Sequence, residues 1–212
     1  MKLEHWQIVL QTYRQVRLLL DQSLPAEPAD GEPRPQVRVG AQGLALVQQQ
    51  LLAEVSGLQQ ALGGAYREEE IAEALRPFVY LTDERVLRRL ADSEQAQWPL
   101  LQHRLYGIDS GGDHFYELAD EKLALRVASP LVFELLHFCL TAGFEGRHAG
   151  NAARLREYKE RLAARIPKPE AVPAPPPAVG QAPLVHAFPL RYYLVSGAVV
   201  VTLPVLLWWL SR

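Results

Sequence analysis

Only one cysteine, Cys139, stands among the 212 residues. No intrachain disulfide can form, and no cysteine cluster is present to hold zinc. A lone cysteine in the apolar run LVFELLHFCL reads as a small core residue, compatible with a reducing cytosol. An excess of one charge sign is missing too. With 22 Lys and Arg against 24 Asp and Glu, the formal net charge is -2, which gives no electrostatic argument for nucleic acid as a partner. Strict two-residue alternation is nearly absent, so no sheet is expected. The chain has no GxxxxGK phosphate loop, no GxSxG elbow and no HExxH zinc motif. Its histidines (His5, His103, His114, His137, His148 and His186) are scattered singly. No metal, no cofactor and no catalytic set are therefore expected.

What is present is most distinctive near the end. Tyr192 to Leu210, YYLVSGAVVVTLPVLLWWL, is a run of 19 residues without a charge. As a helix it would reach about 28 Å, close to a hydrocarbon core of about 30 Å. Tyr192 and Tyr193 lie at one edge and Trp208 and Trp209 at the other, the placement of interfacial aromatic belts. Pro204 is tolerated better in a membrane helix than in a soluble one. The segment 191–210 is read as a transmembrane anchor, and no further domain is expected beyond Arg212. Residues 167–190 hold eight prolines in 24 positions. They read as a linker of polyproline character, able to reach about 74 Å.

The rest, 1–166, reads as helical almost throughout. Trp6, Val9, Leu10, Tyr13, Val16 and Leu20 recur at helical spacing. SLPAEPADGEPRPQ then breaks the helix with four prolines. Leu44, Val47, Leu51, Val55, Leu58 and Leu62 form a second stripe, which Gly63-Gly64 should end as a C-cap. Glu68, Glu69 and Glu70 open a third helix, whose inward face is Ile71, Leu75, Phe78, Val86, Leu87 and Leu90. Pro77 should kink or break it. Trp98-Pro99 should begin a fourth helix through Tyr106, and Asp113 should cap a fifth. Ser129-Pro130 starts a sixth, apolar on nearly every face and so expected to be the most buried. Asn151 should cap a seventh, with Leu155, Tyr158, Leu162 and Ile166 inward. The fold class is all-α, with short connections that imply one or two helical bundles.

Two polar pairs interrupt the apolar faces. Asp83-Glu84 falls within VYLTDERVL. It is either a solvated face or a pair used for partner contact or for bracing the bundle. Glu134 and His137 share a face of the apolar sixth helix and need partners there or on a neighbouring helix. GGDHFY reads as a tight turn into a helix cap rather than a phosphate cradle. In GFEGR, Gly143 and Gly146 should supply positive φ angles to an inter-helix turn.

These segments, in this order, resemble the TssL/DotU (IcmH/DotU) family of type VI and related type IVB secretion. The resemblance begins at YREEEIAEALRPFVYLTDERVL, continues through Trp98 and LQHRLYGIDSGGDHFYEL, and is strongest at LLHFCLTAGFEGRHAGNAARLREYKERL. His148 departs from it, standing where the family usually has Tyr. The resemblance implies a hook-like cytoplasmic domain of two small helical bundles, tail-anchored in the bacterial inner membrane. It implies a scaffold rather than an enzyme. The partners it implies are an IcmF-like TssM membrane protein, baseplate proteins such as TssK, indirectly the TssJ lipoprotein, the lipid bilayer and further copies of the chain. By position Asp83 and Glu84 match the family's Asp-Glu pair, expected to contact a partner or shape a cleft. Gly143, Phe144, Gly146 and Arg147 match its structural turn motif. An anchor so close to the end implies a cytoplasmic N-terminal domain and a periplasmic C-terminus. Two rival readings are a tail-anchored regulator that binds a partner helix in an apolar groove, and a membrane-tethered enzyme using Glu134, His137 or Asp83.

Overall fold

The computed structural model describes residues 1–28 and 37–167. The anchor at 191–210, with Tyr192, Tyr193, Trp208 and Trp209, and the linker beyond residue 167 lie outside the described residues. Among the described residues no helix is long and apolar enough to cross a membrane.

Among the described residues eight α-helices and one 3-10 turn follow in order: α1 (Leu3–Ser23), α2 (Ala41–Leu62), α3 (Glu68–Arg89), α4 (Asp92–Gln95), α5 (Leu101–Tyr106), α6 (Gly111–Ala124), α7 (Pro130–Thr141), the 3-10 turn Gly146–His148 and α8 (Ala152–Ala163). No strand occurs among the described residues. The apolar stripes explain the packing. All six stripe residues of α2 are buried. On α1, Val9, Val16 and Leu20 are buried, while Leu10 turns outward and His5 takes an inward place. Asn151 caps α8 as its sequence suggests, its Oδ1 accepting from the Arg154 N–H at 3.1 Å.

Several local expectations need correction. Of the kink or break expected at Pro77, the break does not occur, since α3 runs through it. The ring is buried there, and tertiary packing outweighs the lost backbone bond. The α2 C-cap Gly63 has φ -62, so it closes the helix without a left-handed residue. The fourth segment holds a short α4 before Trp98, and α5 starts only at Leu101. α6 begins at Gly111, so Asp113 lies in its first turn rather than at the cap. The reason is close packing. A Cβ on Gly111 would sit 1.9 Å from Gln102 Oε1, and one on Gly112 would sit 3.2 Å from the Gly146 Cα.

α1 and α2 make one set of helices and α6 to α8 another; α3 contacts both and also carries α5. One hydrophobic core runs through both sets. Tyr13 of α1 meets Phe78 of α3 and Phe138 of α7 edge-on, at centroid distances of 6.3 and 5.3 Å. The two small bundles therefore have no separate cores. α7 is buried at eight of its 12 positions, as its composition suggests. The helix with neighbours on most sides is nevertheless α3. Pro77 to Asp83 are seven consecutive buried residues, two full turns with no solvent face.

Candidate functional site

A helix with neighbours on most sides must place many of its polar residues against protein. The strip Asp83–Arg89 at the C-terminal end of α3 does this. Consecutive residues on a helix point about 100° apart, so Asp83, Glu84 and Arg85 address three different neighbours.

Asp83 is 2% exposed. Its Oδ1 accepts from Trp98 Nε1 at 2.8 Å and from the Leu101 N–H at 3.0 Å, and its Oδ2 accepts from the Gln102 N–H at 2.9 Å. It thus caps α5 from a different helix, satisfying two of the free amides of that short element. Burial pushes its carboxyl up to about 6, and the three hydrogen bonds pull it back part of the way.

Glu84 faces the turn after α7. It accepts from the Glu145 N–H at 3.1 Å and the Gly146 N–H at 2.8 Å. Arg88, one turn on, lies 3.5 Å from Glu84 and 3.2 Å from Glu145. Burial raises the Glu84 carboxyl, opposed by the two backbone hydrogen bonds and Arg88. Arg85 donates from Nη2 to the Ala142 carbonyl at the end of α7 and from Nη1 to Glu27. A cation at a helix C-terminus complements its dipole. Arg89 closes the strip, its Nη2 lying 2.7 Å from Asp21 of α1.

The turn that Glu84 holds is the GFEGR motif. Gly143 has φ +95 and Gly146 φ +51, both in the left-handed region. Gly146 lies so near α6 that a Cβ would stand 2.8 Å from the Gly112 carbonyl oxygen. Phe144 is 1% exposed and packs on Phe115 with ring centroids 4.3 Å apart. Arg147 lies over the Tyr116 ring at 5.3 Å. The Tyr116 hydroxyl donates to the Glu145 carbonyl at 2.7 Å. His148 packs edge-on against Tyr116 at 4.3 Å.

The structure gives Asp83 and Glu84 bracing geometry, and a solvated face is excluded for Asp83. It does not bring Glu134 and His137 to one task. Glu134 is met by the Met1 amine, and His137 is half-buried, its imidazole shifted down chiefly by burial. Sequence reading passed over Arg85, Arg88, Arg89 and Glu94. Glu94 of α4 accepts from the Val39 and Gly40 N–H groups, both at 2.8 Å, and so caps α2. For the three arginines the available signal was the charge run DERVLRR after the apolar stretch Phe78–Leu81; nothing local marked Glu94. Among the described residues no group of three His, Cys, Asp or Glu is placed to hold a metal.

The fold and this strip define an all-helical domain whose buried charges fasten helix ends and one surface turn to a central helix. The family model described as Type VI secretion system protein DotU matches residues 34–212, and the chain belongs to that family. The DotU structure from Francisella novicida aligns over 78% of this chain and 100% of its own, with 18% identity and a TM-score of 0.57. The cytoplasmic domain of TssL from Acinetobacter baumannii aligns over 74% and 92%, with 18% identity and a TM-score of 0.53. SciP/TssL from enteroaggregative Escherichia coli 042 aligns over 81% and 96%, with 23% identity and a TM-score of 0.53. At these identities the likeness carries the fold. Comparison with curated proteins returns no match.

Proposed function

We propose that this chain is a non-enzymatic scaffold of a type VI secretion membrane complex. It is tail-anchored in the inner membrane by 191–210 and joins an IcmF-like TssM partner to cytoplasmic baseplate proteins such as TssK. The TssJ lipoprotein is reached through that partner, and self-association completes the assembly. The observation that carries the reading is the pairing of a family match over 34–212 with the uncharged run Tyr192–Leu210. The use of the charged strip supports it. Asp83, Glu84 and Arg85 are occupied in holding α5, the turn after α7 and the end of α7. They are not gathered as nucleophile, base and orienter around a cleft. Asp83 and Glu84 would serve a partner by fixing the surface that meets it. The turn that Glu84 holds, with Arg147 half-exposed, is the element offered.

The test is a crosslinked pull-down of the full-length protein from native membranes, read by mass spectrometry, beside a 1–190 truncation. Recovery of an IcmF-like membrane protein and baseplate subunits is expected. Loss of the membrane partner alone in the truncation assigns that contact to the tail. Recovery of neither class would refute the scaffold reading and favour a tail-anchored regulator of a different pathway.

A further inference from the structure

The loop between α6 and α7 turns apolar side chains toward solvent. Val127 is 89% exposed and Leu125 42% exposed, and no large hydrophobic residue among those described is more exposed than Val127. Ala124, Arg126 and Pro130 are exposed beside them. Apolar residues scattered singly over a surface need no explanation. Here two stand within three residues of one loop, with a cation between them. Arg126 forms no ion pair among the described residues. The acid in the last turn of α6, Glu121, lies 3.0 Å from Lys122 and is already engaged.

The backbone of this loop is held from a distant part of the chain. Arg165, just beyond α8, donates from Nη1 to the Leu123 carbonyl at 3.2 Å and from Nη2 to the Leu125 carbonyl. Its guanidinium also lies over the Phe133 ring at 5.1 Å. The free carbonyls at the end of α6 thereby gain a cationic donor, and less order remains to be lost when the loop meets a partner. Arg165 stands two residues before Pro167, where the described residues end. The exposed apolar loop is therefore fastened to the point from which the chain runs on toward the uncharged segment.

We propose that residues 124–130 are a contact site for an anionic phospholipid surface, the face of the bilayer that 191–210 spans. This inference rests on the anchor reading given above. Leu125 and Val127 would enter the headgroup boundary, as the apolar side chains of interfacial segments do. Arg126 would lay its stem along them and pair its guanidinium with lipid phosphates. Two further observations favour lipid as the occupant. Only 23 residues separate Pro167 from Arg191, so the loop stays close to the membrane by chain connection alone. Between 164 and 191 the charges are Arg165, Lys168 and Arg191 against Glu170, a balance that an anionic leaflet attracts. The contact would fix which face of the domain turns away from the membrane, toward soluble partners.

The test places an environment-sensitive fluorophore on Val127→Cys of the full-length protein in lipid nanodiscs. The unsubstituted protein, whose Cys139 is buried, is the labelling blank, and Leu46→Cys on exposed α2 is the control position. In discs of phosphatidylcholine with phosphatidylglycerol, the emission at position 127 should shift to the blue and be quenched by brominated lipid. Position 46 should keep its aqueous emission. Arg126→Glu, or discs of phosphatidylcholine alone, should lower the ratio of bound to free loop by at least about fivefold, the effect of one cation at an anionic surface. All three substitutions are at exposed positions, so folding is not at stake. Aqueous emission at 127 from a chain that resists carbonate extraction overturns this inference and leaves the anchor standing. A chain that carbonate extracts from its membranes overturns the anchor, and this inference with it. A shift that is equal in neutral and anionic discs and unmoved by Arg126→Glu overturns the anionic contact. A shift that appears only when two chains share a disc also overturns it, and points to a second copy as the occupant.

Discussion

Two helices of this domain carry charged runs and use them in opposite ways. On α8, Arg154 lies 2.6 Å from Glu157, and Arg161 lies 3.8 Å from the same carboxylate. These pairs are local, at spacings of three and four, and solvent reaches all three side chains. On α3, Asp83, Glu84, Arg85 and Arg89 reach α5, the turn after α7, the end of α7 and α1. The residue types are the same. On α8 water competes for each charge and the pair contributes little. On α3 the charges are buried or half-buried; Asp83, Glu84 and Arg85 each replace water for a backbone amide or carbonyl, and Arg89 holds the Asp21 carboxylate of α1. A charge run is therefore a solvated face on one helix and a set of fasteners on the other.

The largest test of that contrast is Asp83→Ala. It leaves Trp98 Nε1 and the Leu101 and Gln102 amides without their acceptor. Unfolding in urea should show a loss of about 3 kcal/mol or more, from donors worth about 1–3 kcal/mol each when orphaned. A loss no greater than that of a surface substitution would break the comparison.

Next is Gly146→Ala, which combines a φ of +51 with a Cβ 2.8 Å from the Gly112 oxygen. A destabilisation of about 2 kcal/mol is expected from the strain and the clash. The separation of the ring and backbone contacts around the motif can be followed by amide exchange. Glu84→Gln sharpens the same point. It should speed exchange at the Glu145 and Gly146 amides while leaving those of α2 unchanged.

A pH-dependent effect distinguishes the buried charge from its hydrogen bonds. The folded Asp83 carboxyl titrates at about 6, above its ordinary 3.8. The folded state then holds this proton more tightly than the unfolded state. The contribution is fully present below about pH 4 and is lost as pH rises through about 6. The stability of the wild type relative to Asp83→Asn should accordingly fall across that window and stay level above it. A difference that is flat with pH, or that rises, would remove burial as the cause.

The smallest expected effect is Arg154→Ala on α8. It should leave the urea midpoint unchanged within error, since the pair it breaks is exposed on both sides. A shift comparable to that of Asp83→Ala would erase the distinction between the two helices.

Much of this architecture is legible without coordinates. The α2 stripe is read residue by residue because burial on one helix face repeats with the helix period. Asn151 is read as a cap because its partner amide lies three residues away. Gly143 and Gly146 are read as left-handed because the turn demands it locally. The same reasoning fails at Gly111, which looks like a turn residue and instead begins α6. Only the approach of Gln102 and Tyr80 requires the missing Cβ there. It fails as well at Glu94, whose partners Val39 and Gly40 are 55 and 54 residues away.

The sequence by itself determined the all-helical class, the apolar faces, the turn glycines and the uncharged run near the end of the chain. Each is a local property, fixed by helical period, backbone sterics or an unbroken hydrophobic length. Tertiary structure alone decided what the charges do. Whether Asp83 meets water or three donors, and whether Arg89 meets solvent or Asp21 of α1, depends on elements brought together from distant parts of the chain. A carboxylate's free energy is set by that surrounding, so no pattern of neighbours in the sequence could state it.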